Sequence, residues 1–134
     1  MHANISGTSL PAPLALSYIG DAYYSLYVRN MLVMRGVSKS KDLNLLSLEY
    51  VTAEKQAKMY EKLKPYLLED EELCARRAYN STHLNPPKRA KIQDYRSATA
   101  FEAVIGMLYY IRDFDRLNEL MTVLHGGNEN DTEN

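Results

Sequence analysis

The stretch SYIGDAYYSLYVR, residues 17–29, lies in a run of apolar side chains that recur at helical spacing. This pattern predicts a long helix that begins near Leu14 and ends before Gly36. Asp21 breaks the pattern, because it places one carboxylate on the narrow polar side of a mostly apolar helix. An explanation for this carboxylate has to come from the rest of the chain.

Helical spacing also recurs elsewhere, whereas no segment alternates between apolar and polar residues for long enough to predict a strand. The sequence therefore predicts an all-α fold. We expect helices over 14–34, from Ser38 or Ser40 to near Pro65, and over 70–79, 94–111 and 113–124. Two prolines and several turn-forming residues predict an exposed loop over 80–93.

Length and composition fit one soluble domain. The 134 residues are 46% apolar and 25% charged, which is enough for a single core. We expect a flexible leader over 1–13, a domain over 14–124 and a disordered acidic tail over 125–134. The sequence predicts no signal peptide and no membrane span, and its single cysteine, Cys74, allows no internal disulfide. We therefore expect a cytoplasmic protein.

Charge is distributed unevenly along the chain. The net charge is −1, but residues 76–96 contain six basic residues and one acid, so this segment carries +5 and the remainder carries −6. A basic segment on an acidic body indicates a binding partner, although a solvated loop has the same composition. Tyr79 and Tyr95 flank the basic loop.

A second acid repeats the pattern of Asp21. Glu102 is the only charge between Arg96 and Arg112, within the apolar run SATAFEAVIGMLYYI. Buried carboxylates are rare unless they are neutralised, so each acid needs a cation. That cation is either a basic side chain, such as Arg29 or Arg96, or a metal ion.

Glycines in the same two helices favour the metal. Glycine inside a helix costs about 1 kcal/mol relative to alanine and is best explained by close approach of two helices. If the helices cross at Gly20 and Gly106, then Asp21 and Glu102 converge. Two converging carboxylates suit Mg²⁺ or Mn²⁺, which keep several waters and pair with phosphate. The pattern therefore indicates phosphodiester chemistry, and the sequence contains no GxxxxGK[ST], GxGxxG or HExxH motif that would indicate another class.

Four segments also carry a resemblance: ALSYIGDAYYSLYVR at 15–29, DL at 42–43, VTAEKQA at 51–57 and YRSATAFEAVIG at 95–106. In order and spacing they resemble the Mini-III ribonucleases, the compact branch of the ribonuclease III family. The resemblance implies an all-helical homodimer without a double-stranded-RNA-binding domain. It implies Mg²⁺-dependent cleavage of double-stranded RNA, with Asp21 and Glu102 as catalytic metal ligands and Mn²⁺ as a substitute ion. It also implies large-subunit (23S-type) ribosomal RNA precursor as the substrate, and a ribosomal protein or pre-ribosomal particle as a further partner.

The chain departs from full-size ribonuclease III enzymes at the site. Ser17 and Thr99 stand where those enzymes carry further acids, and Ser25 stands where family members often carry glutamate. Contacts to RNA are expected from the basic segment and its flanks, namely Arg77, Asn80, Lys88, Arg89, Lys91, Tyr95 and Arg96. Two alternatives stay open: a catalytically silent module of this fold that binds RNA or a ribosomal particle, and a structural helical dimer whose two acids are salt-bridged.

Overall fold

A computed structural model describes residues 9–82, 84–86, 88 and 91–126. Most of the expected leader, most of the expected tail and Arg89 lie outside these described residues. The helices are α1 (Pro13–Met34), α2 (Ser40–Val51), α3 (Ala53–Leu63), α4 (Glu69–Tyr79), α5 (Ile92–Tyr110) and α6 (Phe114–Met121), with a 3₁₀ turn at Lys64–Tyr66 and a π-helical turn at Thr122–Gly126. The predicted all-α fold is confirmed. In the described part of the chain, no helix combines the length and apolar character needed to cross a membrane.

The core forms around α5, which packs against α1, α3 and α4. From Ala98 to Leu108 every residue of α5 is buried except Glu102. A helix that is apolar on all sides needs neighbours on all sides, so it takes the centre of the fold. Tyr24 of α1 is fully buried against it and meets the ring of Phe101 edge-on, with 4.9 Å between ring centroids. The helix that carries the second acid is therefore the central element of the core.

The prediction of one continuous second helix is wrong, because the chain breaks at Thr52 into α2 and α3. Thr52 has extended backbone angles, and its hydroxyl accepts a hydrogen bond from the backbone N–H of Lys55 at 3.3 Å. A threonine that caps a helix in this way satisfies a free N–H group of the first turn, and Glu54 in that turn complements the helix dipole. After the break, α3 packs on α5, whereas α2 has no buried residue.

The end of α1 and the C-terminal end of the described chain are each fixed by a specific contact. Gly36 ends α1 as predicted: its φ is +94°, and the N–H of Val37 donates to the carbonyl of Leu32 at 3.1 Å, which closes a Schellman motif. At the C-terminal end of the described chain, His125 is buried and its Nε2 lies 3.1 Å from the Tyr24 hydroxyl. This contact corrects the expected tail, because the packed domain continues through the π-helical turn to Gly126.

Candidate active site

Two glycines set the distance between α1 and α5. A Cβ atom at Gly20 would lie 1.7 Å from the carbonyl oxygen of Glu102, and one at Gly106 would lie 1.7 Å from the carbonyl oxygen of Leu16. Each glycine thus lets the backbone of the other helix approach more closely than any side chain permits. The close approach predicted from these glycines is confirmed. Because Asp21 and Glu102 sit at this crossing, the two carboxylates come together.

The two acids interact directly through their side chains. The Asp21 side chain hydrogen-bonds to the carboxyl group of Glu102. Asp21 is exposed, whereas Glu102 is partly buried. Desolvation by burial, followed by the negative charge of Asp21, raises the pKa of Glu102 to about 8. At neutral pH the pair therefore retains a proton that a divalent cation would displace.

The expected burial of Asp21 is wrong, because the polar side of α1 faces the surface at this point. Among the ion pairs between described residues, none involves Asp21 or Glu102. Arg96, one of the basic partners considered above, instead donates to the backbone carbonyl of Tyr79 at 2.7 Å. The arrangement therefore gives no support to two salt-bridged structural acids.

Two neutral side chains complete the surroundings of Glu102. The hydroxyl of Ser17 donates to Oε1 of Glu102 at 3.2 Å, and the side chain of Gln56 in α3 lies close enough to the same carboxyl group to lower its pKa. Gln56 is a site residue that the sequence alone did not indicate. The available signal was its position on α3, where it shares a buried face with Tyr60 and Leu63 at helical spacing. A polar side chain on such a face needs a polar partner.

The donor set of this site fits Mg²⁺. Asp21 and Glu102 offer carboxylate oxygens, and the Ser17 hydroxyl donates to Glu102 beside them. Within the described ranges, no cluster of three or more acidic, histidine or cysteine side chains could hold a metal. An ion held by these two carboxylates would keep several waters, which is the coordination that Mg²⁺ prefers.

The residues expected to contact RNA lie at three places on the surface. Lys88 and Lys91 are exposed, and Lys91 is the N-cap of α5. Lys91 lines a groove between α3, α4 and α5 that also includes Tyr79. Arg77 is exposed on α4 but lines a separate cavity, next to Cys74.

The other expected RNA contacts lie where α4 and α5 meet. Asn80 is exposed and forms the C-cap of α4. Tyr95 and Arg96 are only partly exposed, and the Arg96 guanidinium lies 6.0 Å from the centroid of the Tyr79 ring. Together with its hydrogen bond to the Tyr79 carbonyl, this contact fastens the start of α5 to the end of α4.

Comparison with known proteins identifies the relatives of this chain. Residues 14–113 match the family model of the ribonuclease III domain. The Mini-ribonuclease 3 of Brevibacillus brevis is 40% identical over 113 residues, which cover 84% of this chain and 84% of that protein. The Mini-ribonuclease 3 of Symbiobacterium thermophilum is 39% identical over 109 residues, covering 81% of this chain and 84% of its own length. A crystal structure of a protein from Fusobacterium nucleatum has the same fold, with a TM-score of 0.78 at 27% identity over 87% of this chain and 89% of that one.

The chain therefore belongs to the ribonuclease III family and is an endoribonuclease. Within that family its similarity is to proteins named Mini-ribonuclease 3, which confirms the resemblance carried by the four sequence segments.

Proposed function

We propose that this chain is a Mg²⁺-dependent endoribonuclease that cleaves double-stranded RNA, with Asp21 and Glu102 as its catalytic carboxylates. The observation that carries the proposal is the pairing of these two acids where α1 crosses α5, in a domain of the ribonuclease III family. Large-subunit ribosomal RNA precursor is the proposed natural substrate, in the cytoplasm, with a ribosomal protein or pre-ribosomal particle as a further partner.

The proposed mechanism divides the work between the metal and the chain. Asp21 and Glu102 would hold the ion, with Mn²⁺ as a substitute. A bound Mg²⁺ supplies an activated water and neutralises charge that develops on the phosphate. The chain supplies position: Gly20 and Gly106 set the separation of the two helices, and the exposed side of Asp21 leaves the site open to an RNA backbone. Cleavage is expected to leave a 5′-phosphate and a 3′-hydroxyl.

Assembly as a two-fold homodimer would give one site for each strand of a duplex. An apolar stripe on α1 supports this proposal, since Tyr18, Leu26 and Val33 are 81%, 64% and 57% exposed and lie seven to eight residues apart on one side of the helix. Tyr109 and Tyr110 on α5 are also exposed. Light scattering at micromolar concentration is expected to give the mass of a dimer, and Leu26→Glu is expected to give a monomer. A monomeric wild-type chain would contradict this assembly.

Recognition of RNA is proposed to be by shape, through phosphate contacts from the basic loop. Lys88 and Lys91 are exposed, and Arg89, which lies outside the described residues, falls between them in the sequence. Removing one phosphate contact should reduce the slope of log affinity against log salt by roughly 0.9 for a duplex. The triple variant Lys88→Ala, Arg89→Ala, Lys91→Ala should therefore bind duplex RNA more weakly and with a smaller salt dependence, while single-turnover cleavage at saturating RNA persists. Unchanged affinity and slope would identify the segment as a solvated loop.

The catalytic assignment is tested by incubating long double-stranded RNA with the protein in Mg²⁺, in Mn²⁺ or in EDTA. Asp21→Asn and Glu102→Gln are expected to abolish cleavage and to retain the helical circular dichroism of the wild type. Thr99→Val is the matched control, because the buried Thr99 hydroxyl donates within its own helix, to the carbonyl of Tyr95 at 2.8 Å. Cleavage by either acid variant at near wild-type rate would overturn the assignment. Duplex binding by the wild type without cleavage in either metal would instead support the silent RNA-binding module.

A further inference from the structure

Gln56 lies on the buried face of α3, where its neighbours are apolar. Its side chain is 2% exposed, and Ala57, Tyr60 and Leu63 on the same face are also buried. Burying an amide without a hydrogen bond costs several kcal/mol of desolvation free energy. An apolar side chain at this position would avoid that cost. In the described part of the chain, no buried side-chain nitrogen or oxygen lacks a hydrogen-bond partner. The polar group next to Gln56 is the Glu102 carboxyl group, whose pKa is lowered by the Gln56 side chain.

The backbone and the side chain of Glu102 are held by different contacts. Its backbone carbonyl is fixed against Gly20 at the helix crossing. The carboxyl group lies beyond three rotatable bonds, so the crossing alone does not set its direction. Ser17 from α1 and Gln56 from α3 approach this carboxyl group from two different helices.

We propose that Gln56 and Ser17 are positioning residues that hold the Glu102 carboxylate in its metal-binding orientation; this inference rests on the proposed function of the site. Their chemistry suits the role, because an amide N–H and a hydroxyl satisfy carboxylate lone pairs without adding positive charge. An arginine or lysine would satisfy the same lone pairs, but its charge would repel the cation that the site is to bind. Neutral donors thus orient Glu102 and leave its negative charge available.

Partners of this kind, one step removed from a metal, typically change metal affinity or activity by 10- to 100-fold when they are removed. The variant Gln56→Leu keeps a similar volume and removes the polar side chain next to Glu102. Ser17→Ala removes the other donor and deletes only one oxygen. Binding of Mn²⁺ by the metal-free dimer, followed by electron paramagnetic resonance without RNA, is expected to weaken about 10- to 100-fold in Gln56→Leu and by a smaller factor in Ser17→Ala.

Kinetics separate positioning from simple loss of fold. In both variants the Mn²⁺ concentration needed for half-maximal cleavage is expected to rise, while the KM for duplex RNA stays at the wild-type value. Cys74→Ala is the matched control, since it removes a buried side chain whose Sγ contacts α5 at the carbonyl of Ala103 and not at the Glu102 carboxyl group. Its Mn²⁺ affinity should stay within about twofold of the wild type.

Mn²⁺ affinities of Gln56→Leu and Ser17→Ala that match the wild type would overturn this inference and leave the proposed nuclease site standing. If Gln56→Leu does not fold, Ser17→Ala carries the same test, and an unchanged affinity in that variant overturns the inference as well. A wild-type chain that binds no Mn²⁺ and leaves double-stranded RNA intact would overturn the proposed function together with it.

Discussion

Replacing Gly106 with alanine tests whether the contact between α1 and α5 sets the geometry of the site. The new Cβ atom would lie 1.7 Å from the carbonyl oxygen of Leu16 and 2.9 Å from the backbone nitrogen of Gly20. Real Cβ atoms essentially never approach another atom within 3.0 Å, so the two helices would have to separate by about 1.3 Å at this point. No side-chain rotation relieves the clash, because both contacted atoms belong to the backbone.

Two opposing contributions set the expected decrease in stability. Overpacking a well-packed core costs about 1–3 kcal/mol, and the upper end applies here because α5 is buried over most of its length. Alanine returns about 1 kcal/mol through its better helix propensity. The net decrease is about 2 kcal/mol, equivalent to a decrease in Tm of roughly 5–10 °C. Cleavage should fall further, by about 100-fold, because a displacement of about 1 Å between catalytic groups has an effect of that size.

Thermal unfolding followed by circular dichroism measures the change in stability, and single-turnover cleavage at saturating metal and RNA measures the displacement of the acids. Ala22→Gly is the matched control for stability, measured at a concentration at which the chain is monomeric. Ala22 is exposed in the middle of α1 in the single chain and there reports helix propensity, although it lies between Tyr18 and Leu26 on the proposed dimer stripe. That variant should be less stable by about 1 kcal/mol. If Gly106→Ala unfolds at or above the wild-type temperature and cleaves at the wild-type rate, then the helix crossing does not determine the site.

Three other features give measurable expectations. Mn²⁺ affinity should rise about tenfold per pH unit up to about pH 8 and level off above it, because Glu102 must release its proton to bind the ion. Calorimetric titration across this pH range measures the slope, and an affinity that does not change with pH contradicts the prediction. Arg112 adopts a φ of +62°, a strained backbone conformation for any residue with a side chain, so Arg112→Gly should raise the free energy of unfolding by about 1 kcal/mol. Gly36 has a φ of +94°, so Gly36→Ala should lower the free energy of unfolding by a similar amount, and urea titrations measure both changes. Burial, with two nearby basic side chains, lowers the pKa of His125 from 6.5 to about 4. The folded state therefore favours neutral His125 by about 3 kcal/mol. This stability is complete above pH 6.5 and is lost as the pH falls from there through 4. In the variant His125→Phe, the free energy of unfolding should change less with pH between 6.5 and 4. A dependence on pH as steep as that of the wild type would show that His125 is not the group responsible.

Several features of this protein were determined by local sequence and could be predicted without the structure. Helical periodicity predicted the all-α fold, and Gly36 predicted the end of α1, because a glycine at positive φ stops a helix whatever surrounds it. The glycine inside each of the two central helices predicted the crossing of α1 and α5, because glycine there is costly unless another backbone approaches it. The two acids were found because each interrupts an apolar helical run with a lone charge.

Only the tertiary structure decided how the site is completed. Asp21 proved exposed because burial depends on which elements cover a helix, and periodicity within one helix does not contain that information. Gln56 reaches Glu102 only because the chain breaks at Thr52 and α3 then packs on α5. The hydrogen bond from Ser17 to Glu102 joins residues 85 positions apart, and the contact between Tyr24 and His125 joins residues 101 positions apart. Local propensities predict helices, but these partners are selected by the packing of distant segments around one core, where a buried polar group must find a hydrogen bond wherever the fold places one.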